Sequence, residues 1–171
     1  MALSIPRSNK GSKSMPRRSG KVARRIVSPD AKYGNSTVAK FINRLMLRGQ
    51  KTTAERIVYG AMELAGQQLN SEPAELLEQA IANAAPLVMV RPRRVGGATY
   101  QVPVEVEKDR GSSIAVRWLI ASARARTGKS MKEKLAAEMV DTIQGRGATI
   151  KRREDAHRMA DANKAFVHYR W

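Results

Sequence analysis

From Asn35 to Gly49 the apolar residues Val38, Phe41, Ile42, Leu45 and Met46 fall at i, i+3, i+4, i+7 and i+8. That spacing lines one face of an amphipathic helix. Asn35 or Ser36 can cap its start, and Gly49 can stop it. Lys40, Arg44 and Arg48 recur at i, i+4, i+8 and form a separate basic row on the same predicted helix. A second helix, capped by Thr52 or Thr53, turns Ile57, Val58, Ala61, Leu64 and Ala65 inward. A third, capped by Ser71, carries Pro73 in its first turn, where proline fits. It buries Leu76, Leu77, Ala80, Ile81 and Ala84 before Pro86 ends it.

The period then changes. Strands are predicted at about 87–94 and 98–106, joined through Gly96-Gly97. Paired glycines supply the positive φ angles of a two-residue hairpin turn. Pro92 and Pro103 lie within these strands, and proline belongs on a strand edge because it donates no ladder hydrogen bond. One proline in each strand predicts a lone two-stranded ribbon with both outer edges free of further strands. Helical spacing resumes from Ser113 to Arg126, with Ile114, Trp118, Ala121 and Ala125 inward and Ser113, Arg117 and Arg124 sharing an outer face. Ser130 caps a fifth helix with Leu135, Ala136, Met139, Val140 and Ile143 inward, closed by Gly145. A sixth is predicted from Lys151 to Tyr169. The expected fold is mainly α: a bundle of about six helices, one protruding two-stranded antiparallel β-hairpin and a basic N-terminal tail. The expected division is a tail over 1–34 and a single helical domain over 35–171, with the hairpin arm at about 87–106.

Charge sharpens this picture. The 171 residues carry a net charge of +17. Such an excess calls for a polyanion, and phosphates are the default because their neutralisation releases counterions. A membrane surface would want aromatic residues opposite the basic ones, and aromatics are 5% of the chain. The charge is unevenly placed. Residues 1–34 hold nine Lys/Arg against one Asp, while residues 35–85 hold five of each sign. Residues 112–131 hold four Lys/Arg and no acid. The acid-poor tail also has the composition of a transit peptide, and Met15 is a second candidate start. The reading preferred is a tail, disordered alone, that orders on a phosphate backbone.

Other chemistry is sparse. There is no cysteine, which removes disulfides and thiolate metal sites. Arg126-Thr127-Gly128-Lys129-Ser130 ends like a phosphate loop, but Ala123 stands where that loop needs its first glycine. Gly145-Arg146-Gly147 reads as a helix stop. His157 and Asp161 are four apart without further ligands, which predicts a surface pair. Glu154-Asp155 is expected in a first helical turn, where acids favour the dipole. The Asn35-Ser36-Thr37 sequon is discounted without a secretory route. No nucleophile, base and orienting group converge, so no enzyme, catalytic residue, metal or cofactor is expected.

Several stretches resemble one family closely: "FINRLMLRGQK", "RPRRVGGATYQVPVEV", "AVRWLIASAR", "GKSM" and "KRREDAHRMADANKAFVHYRW". They are similar to bacterial ribosomal protein seven of the small subunit, from about Met15 to Trp171. Residues 1–14 depart from the common pattern. The resemblance implies a primary binder of small-subunit ribosomal RNA that nucleates the head through the 3′ major domain. It also implies a hairpin near the exit-site transfer RNA and the messenger path, with small-subunit ribosomal proteins nine and eleven as neighbours. It further implies residence in a cytoplasmic rather than an organellar ribosome.

Together the two lines of reasoning place RNA contacts at Arg17, Arg18, Lys21, Arg24 and Arg25 of the tail, and at Lys40, Arg44, Arg48 and Lys51. They place further contacts at Arg91, Arg93, Arg94, Gly96 and Gly97 of the hairpin, and at Arg117, Arg124, Lys129 and Met131. No membrane and no homo-oligomer are expected. The competing reading is a free-standing basic nucleic-acid-binding or regulatory protein. It would bind any duplex alike, but no helix-turn-helix signature or dimer seam stands out.

Overall fold

The computed structural model describes residues 27–128 and 130–169. Six α-helices, one β-hairpin and a terminal 3-10 helix follow in order: α1 (Ser36–Leu45), α2 (Lys51–Leu69), α3 (Pro73–Ala84), β1 (Val88–Val95), β2 (Ala98–Glu105), α4 (Lys108–Ala125), α5 (Met131–Ile143), α6 (Ala148–Ala162) and the 3-10 helix (Lys164–Tyr169). The expected fold class is the one observed.

The core is the meeting of four helix faces. α5 packs against α2, α3 and α4, and α1 closes one side. Phe41, Met62, Leu77, Leu119, Leu135 and Met139 are fully buried there. Residues 30–34, assigned to the tail on composition, form a turn tied to this body. The Asp30 carboxylate accepts from the amides of Lys32 and Tyr33 and from the Tyr59 hydroxyl at 2.6 Å. Asn35 caps α1 as expected, accepting from Thr37 N at 2.7 Å. Ser130 caps α5 by accepting from Glu133 N at 3.4 Å.

Several sequence expectations are corrected, beginning with two caps: Gln50 and Glu72, neither bonding through its side chain, start α2 and α3 in place of Thr52 or Thr53 and Ser71. α1 stops at Leu45, so Arg48 leaves the predicted row. Arg48 and Gly49 both take positive φ, 52° and 75°, and Gln50 N donates to Leu47 O at 3.0 Å. This is the pattern of a type I′ turn. α4 begins at Lys108, not Ser113, and turns a different face inward: Gly111, Ala115, Leu119, Ile120, Ser122 and Ala123 are buried. Ile114, Trp118 and Ala121 are only half-buried, and Ala125 is exposed. Small residues let this helix approach its neighbours closely; a Cβ on Gly111 would stand 3.3 Å from Pro86 O. α6 begins at Ala148 and gives way at Ala162 to the 3-10 turn, so Glu154 and Asp155 sit mid-helix. His157 does not stand as a surface pair with Asp161: its Nε2 accepts from Leu87 N at 3.1 Å.

The hairpin is antiparallel, in register from Val88↔Glu105 to Val95↔Ala98. Gly96 and Gly97 make the turn at φ 57° and 88°. Among the described residues no third strand joins it. Its base is covered on both strands, with α6 packing on β1 and the 3-10 helix on β2. Tyr100 stacks on Tyr169 at 5.2 Å between centroids and meets Phe166 at 5.3 Å. Val102 and Pro103 are buried, while the arm from Arg91 to Thr99 is almost wholly exposed.

Candidate nucleic-acid interface

α4 organises the basic surface. Arg110, Arg117 and Arg124 recur every seven residues, so they fall on one face of the helix; all three are exposed. Arg110 lies before the helix that the sequence predicts from Ser113; the seven-residue spacing is the signal that reaches it. α4 follows directly on β2, and at its far end Arg124 Nη2 donates to Leu45 O at 3.2 Å. That bond satisfies an orphan carbonyl at the end of α1, where a cation also complements the helix dipole. Eighteen residues of helix span about 27 Å. The arginine row thus runs from the foot of the hairpin to the α1–α2 corner.

At that corner Lys40 and Arg44 are exposed on α1, and Arg48 is exposed in the turn. Lys51 is also exposed and pairs loosely with Glu55 at 3.8 Å. At the other end the hairpin holds Arg91, Arg93 and Arg94 opposite Val102, Tyr100 and Thr99. Alternation puts Arg91 and Arg93 on one face of the ribbon and Arg94 on the other. Gly96 and Gly97 leave the tip open, with nothing within 4 Å of a built Cβ. None of the ion pairs among the described residues involves Lys40, Arg44, Arg48, Arg91, Arg93, Arg94, Arg110, Arg117 or Arg124. Glu107 and Asp109 stand just before Arg110 in sequence, but the longest stretch without a cation lies elsewhere. From residue 57 to 90 there are four Glu and no Lys or Arg, with Glu63 engaged by Lys32 and Glu78 by Asn35.

The α4–α5 junction is partly neutralised and partly packed inward. Residues 112–131 hold no acid, yet Arg126 is neutralised from α5, through Nε to Glu138 at 2.6 Å and through Nη2 to Asp141. Burial acts to lower its pKa, but the bonds to Asp141 and Glu138 outweigh that and raise it. Met131 packs partly against the core and is half-buried, so only one side of it faces outward. Lys129 and the tail residues Arg17, Arg18, Lys21, Arg24 and Arg25 lie outside the described residues. Among the described residues no group of three or more His, Asp or Glu could hold a metal ion, and no helix is long and apolar enough to cross a membrane.

The pattern of the ribosomal protein S7p/S5e family matches residues 16–164. The chain belongs to that family. The small ribosomal subunit protein uS7 of Chloroflexus aurantiacus is 59% identical over 155 residues, covering 91% of this chain and 98% of that protein. The proteins of the same name in Thermomicrobium roseum and Dehalococcoides mccartyi are 56% and 55% identical over 157 residues, covering 92% of this chain and all of each relative. Family membership gives the coarse role: a structural ribosomal protein, not an enzyme.

Proposed function

We propose that the chain is a structural RNA-binding protein of the small ribosomal subunit, a primary binder of ribosomal RNA in the 3′ major domain that nucleates the head. The observation that carries this reading is the α4 arginine row, joined at one end to the hairpin and at the other to the α1–α2 corner, with no acidic partners among the described residues. Such a track suits a multi-helix RNA junction, because sequence-specific RNA recognition favours loops and junctions over regular duplex. Arg17, Arg18, Lys21, Arg24, Arg25 and Lys129 add cationic contacts in this reading. The hairpin extends from the same surface toward exit-site transfer RNA and the messenger path, with Gly96 and Gly97 permitting close backbone approach. Small-subunit ribosomal proteins nine and eleven are the neighbours in the head, in a cytoplasmic ribosome.

The test is binding to a transcript of the 3′ major domain, compared with an unrelated duplex of equal length at several salt concentrations. A strong preference for the transcript, together with co-sedimentation with small subunits on a sucrose gradient, is expected. Equal affinity for both RNAs and sedimentation away from subunits would favour the free-standing nucleic-acid binder instead.

A further inference from the structure

The corner between α1 and α2 is built in a way that ordinary turn chemistry does not require. Leu47 opens the turn with 62% of its surface exposed. Arg44 precedes it on the last turn of α1, and Arg48 follows it. Arg48 adopts φ 52°, the left-handed region that glycine, asparagine and aspartate enter most readily. Gly49 meets the same demand at the next position without a side chain, and the space around it is open. A glycine or asparagine at position 48 would close the same turn more easily. The arginine is therefore held against its own backbone preference, at a point where its side chain has no partner among the described residues.

Single exposed leucines are ordinary on protein surfaces. This one differs in its setting, at the first position of a hydrogen-bonded turn with a guanidinium on each side that has no partner among the described residues. Arg124 anchors the corner from α4 through Leu45 O, so the turn is presented by two packed helices and not by a loose loop. Flanking cations select a polyanion, and an exposed leucine adds what phosphate contacts lack, a surface for a sugar or an unstacked base.

We infer that the Leu47–Gln50 turn is a wedge: Leu47 packs against an unpaired nucleotide of the ribosomal RNA while Arg44 and Arg48 hold the adjoining phosphates. This rests on the RNA-binding reading above and names where that reading gains an apolar contact.

The experiment measures Leu47→Gln and Arg48→Asn for affinity to the 3′ major domain transcript across salt concentrations, with thermal melting of the free proteins. Leu47→Gln should bind roughly tenfold more weakly, the scale of a partly buried leucine, with unchanged salt dependence and unchanged melting. Arg48→Asn should melt no lower than the parent, because asparagine accepts the turn, yet bind more weakly with a log–log salt slope shallower by about 0.7–0.9. Parental affinity in Leu47→Gln overturns the wedge, as does a fall in its melting temperature, which would make Leu47 a structural residue. Parental RNA affinity with poorer incorporation into small subunits also overturns it and assigns Leu47 to a protein neighbour. Failure of the parent itself to prefer the transcript brings down the RNA-binding reading, and the wedge with it.

Discussion

Removing Arg126 tests how the helix junction beside the basic surface is held. Glu138 is completely buried. Its carboxylate accepts from Arg126 Nε at 2.6 Å, from Thr149 Oγ1 at 2.6 Å and from Thr149 N at 3.0 Å. One buried acid thus ties the end of α4, the middle of α5 and the start of α6. Arg126→Met would leave that carboxylate with two neutral donors and no counter-charge. Breaking one side of a buried pair costs about 3–5 kcal/mol. The Arg126 side chain is 28% exposed, so the lower end applies, about 3 kcal/mol. For a domain of this size that lowers Tm by about 6–12 °C. Glu138→Gln keeps an acceptor for Thr149 but loses the charge, and should cost about 2 kcal/mol. The double variant should cost clearly less than the sum of the two, since each change removes the same interaction. Urea unfolding at neutral pH, followed by far-ultraviolet circular dichroism, gives all three values. A loss under about 1 kcal/mol for Arg126→Met would show that the junction is held by packing alone.

Three further outcomes are expected. Phe41→Ala, which empties a fully buried position, should cost about 3–5 kcal/mol, whereas Lys40→Ala and Arg44→Ala should weaken RNA binding with melting almost unchanged; equal melting losses would make the charges structural. Burial acts to raise the Asp30 carboxyl, but its bonds to the Tyr59 hydroxyl and nearby amides outweigh this and hold it below 3.8. Its stabilisation is then present above that value and lost as pH falls through the lowered one, so parent and Asp30→Asn melting temperatures should converge in acid; a constant gap would count against it. Phe166→Ala should loosen the arm without unfolding the body, read as faster amide exchange in β2 with α2 and α5 unchanged; uniform acceleration would mean that the 3-10 helix supports the whole fold.

The helices were legible where large apolar residues recur at helical spacing, as at Val38, Phe41, Ile42 and Leu45 or Leu76, Leu77, Ala80 and Ile81. The hairpin was legible from Gly96-Gly97 and two prolines. α4 was misread for a physical reason. Its inward face sets only Leu119 and Ile120 among Gly111, Ala115, Ser122 and Ala123, whose smallness permits close helix approach, while the larger Trp118 and Ile114 lie at the edge. The Arg48 turn was hidden because an arginine at positive φ contradicts local preference. The Arg126–Glu138–Thr149 tie joins three helices, and no local pattern marks residues that meet only after packing. The basic surface was legible in parts: Arg117 and Arg124 share a face in the sequence reading and the seven-residue spacing reaches Arg110, but the connection to the α1 corner needed the fold.

The aromatic clasp on the hairpin sets an order of events during synthesis. β1 and β2 can pair as soon as both have been made, and α1 to α5 supply most of the core before α6 is complete. Tyr100 must nevertheless wait for Phe166 and Tyr169, which come from the last described element. Until then the ribbon is held at its base through α6 on β1 alone, with β2 still uncovered; a two-stranded ribbon by itself is marginal in water. Its direction is therefore fixed among the last events of folding. A chain truncated before Lys164 would have its helical body and a correctly paired hairpin, but an arm held by α6 on β1 alone, its direction less closely fixed.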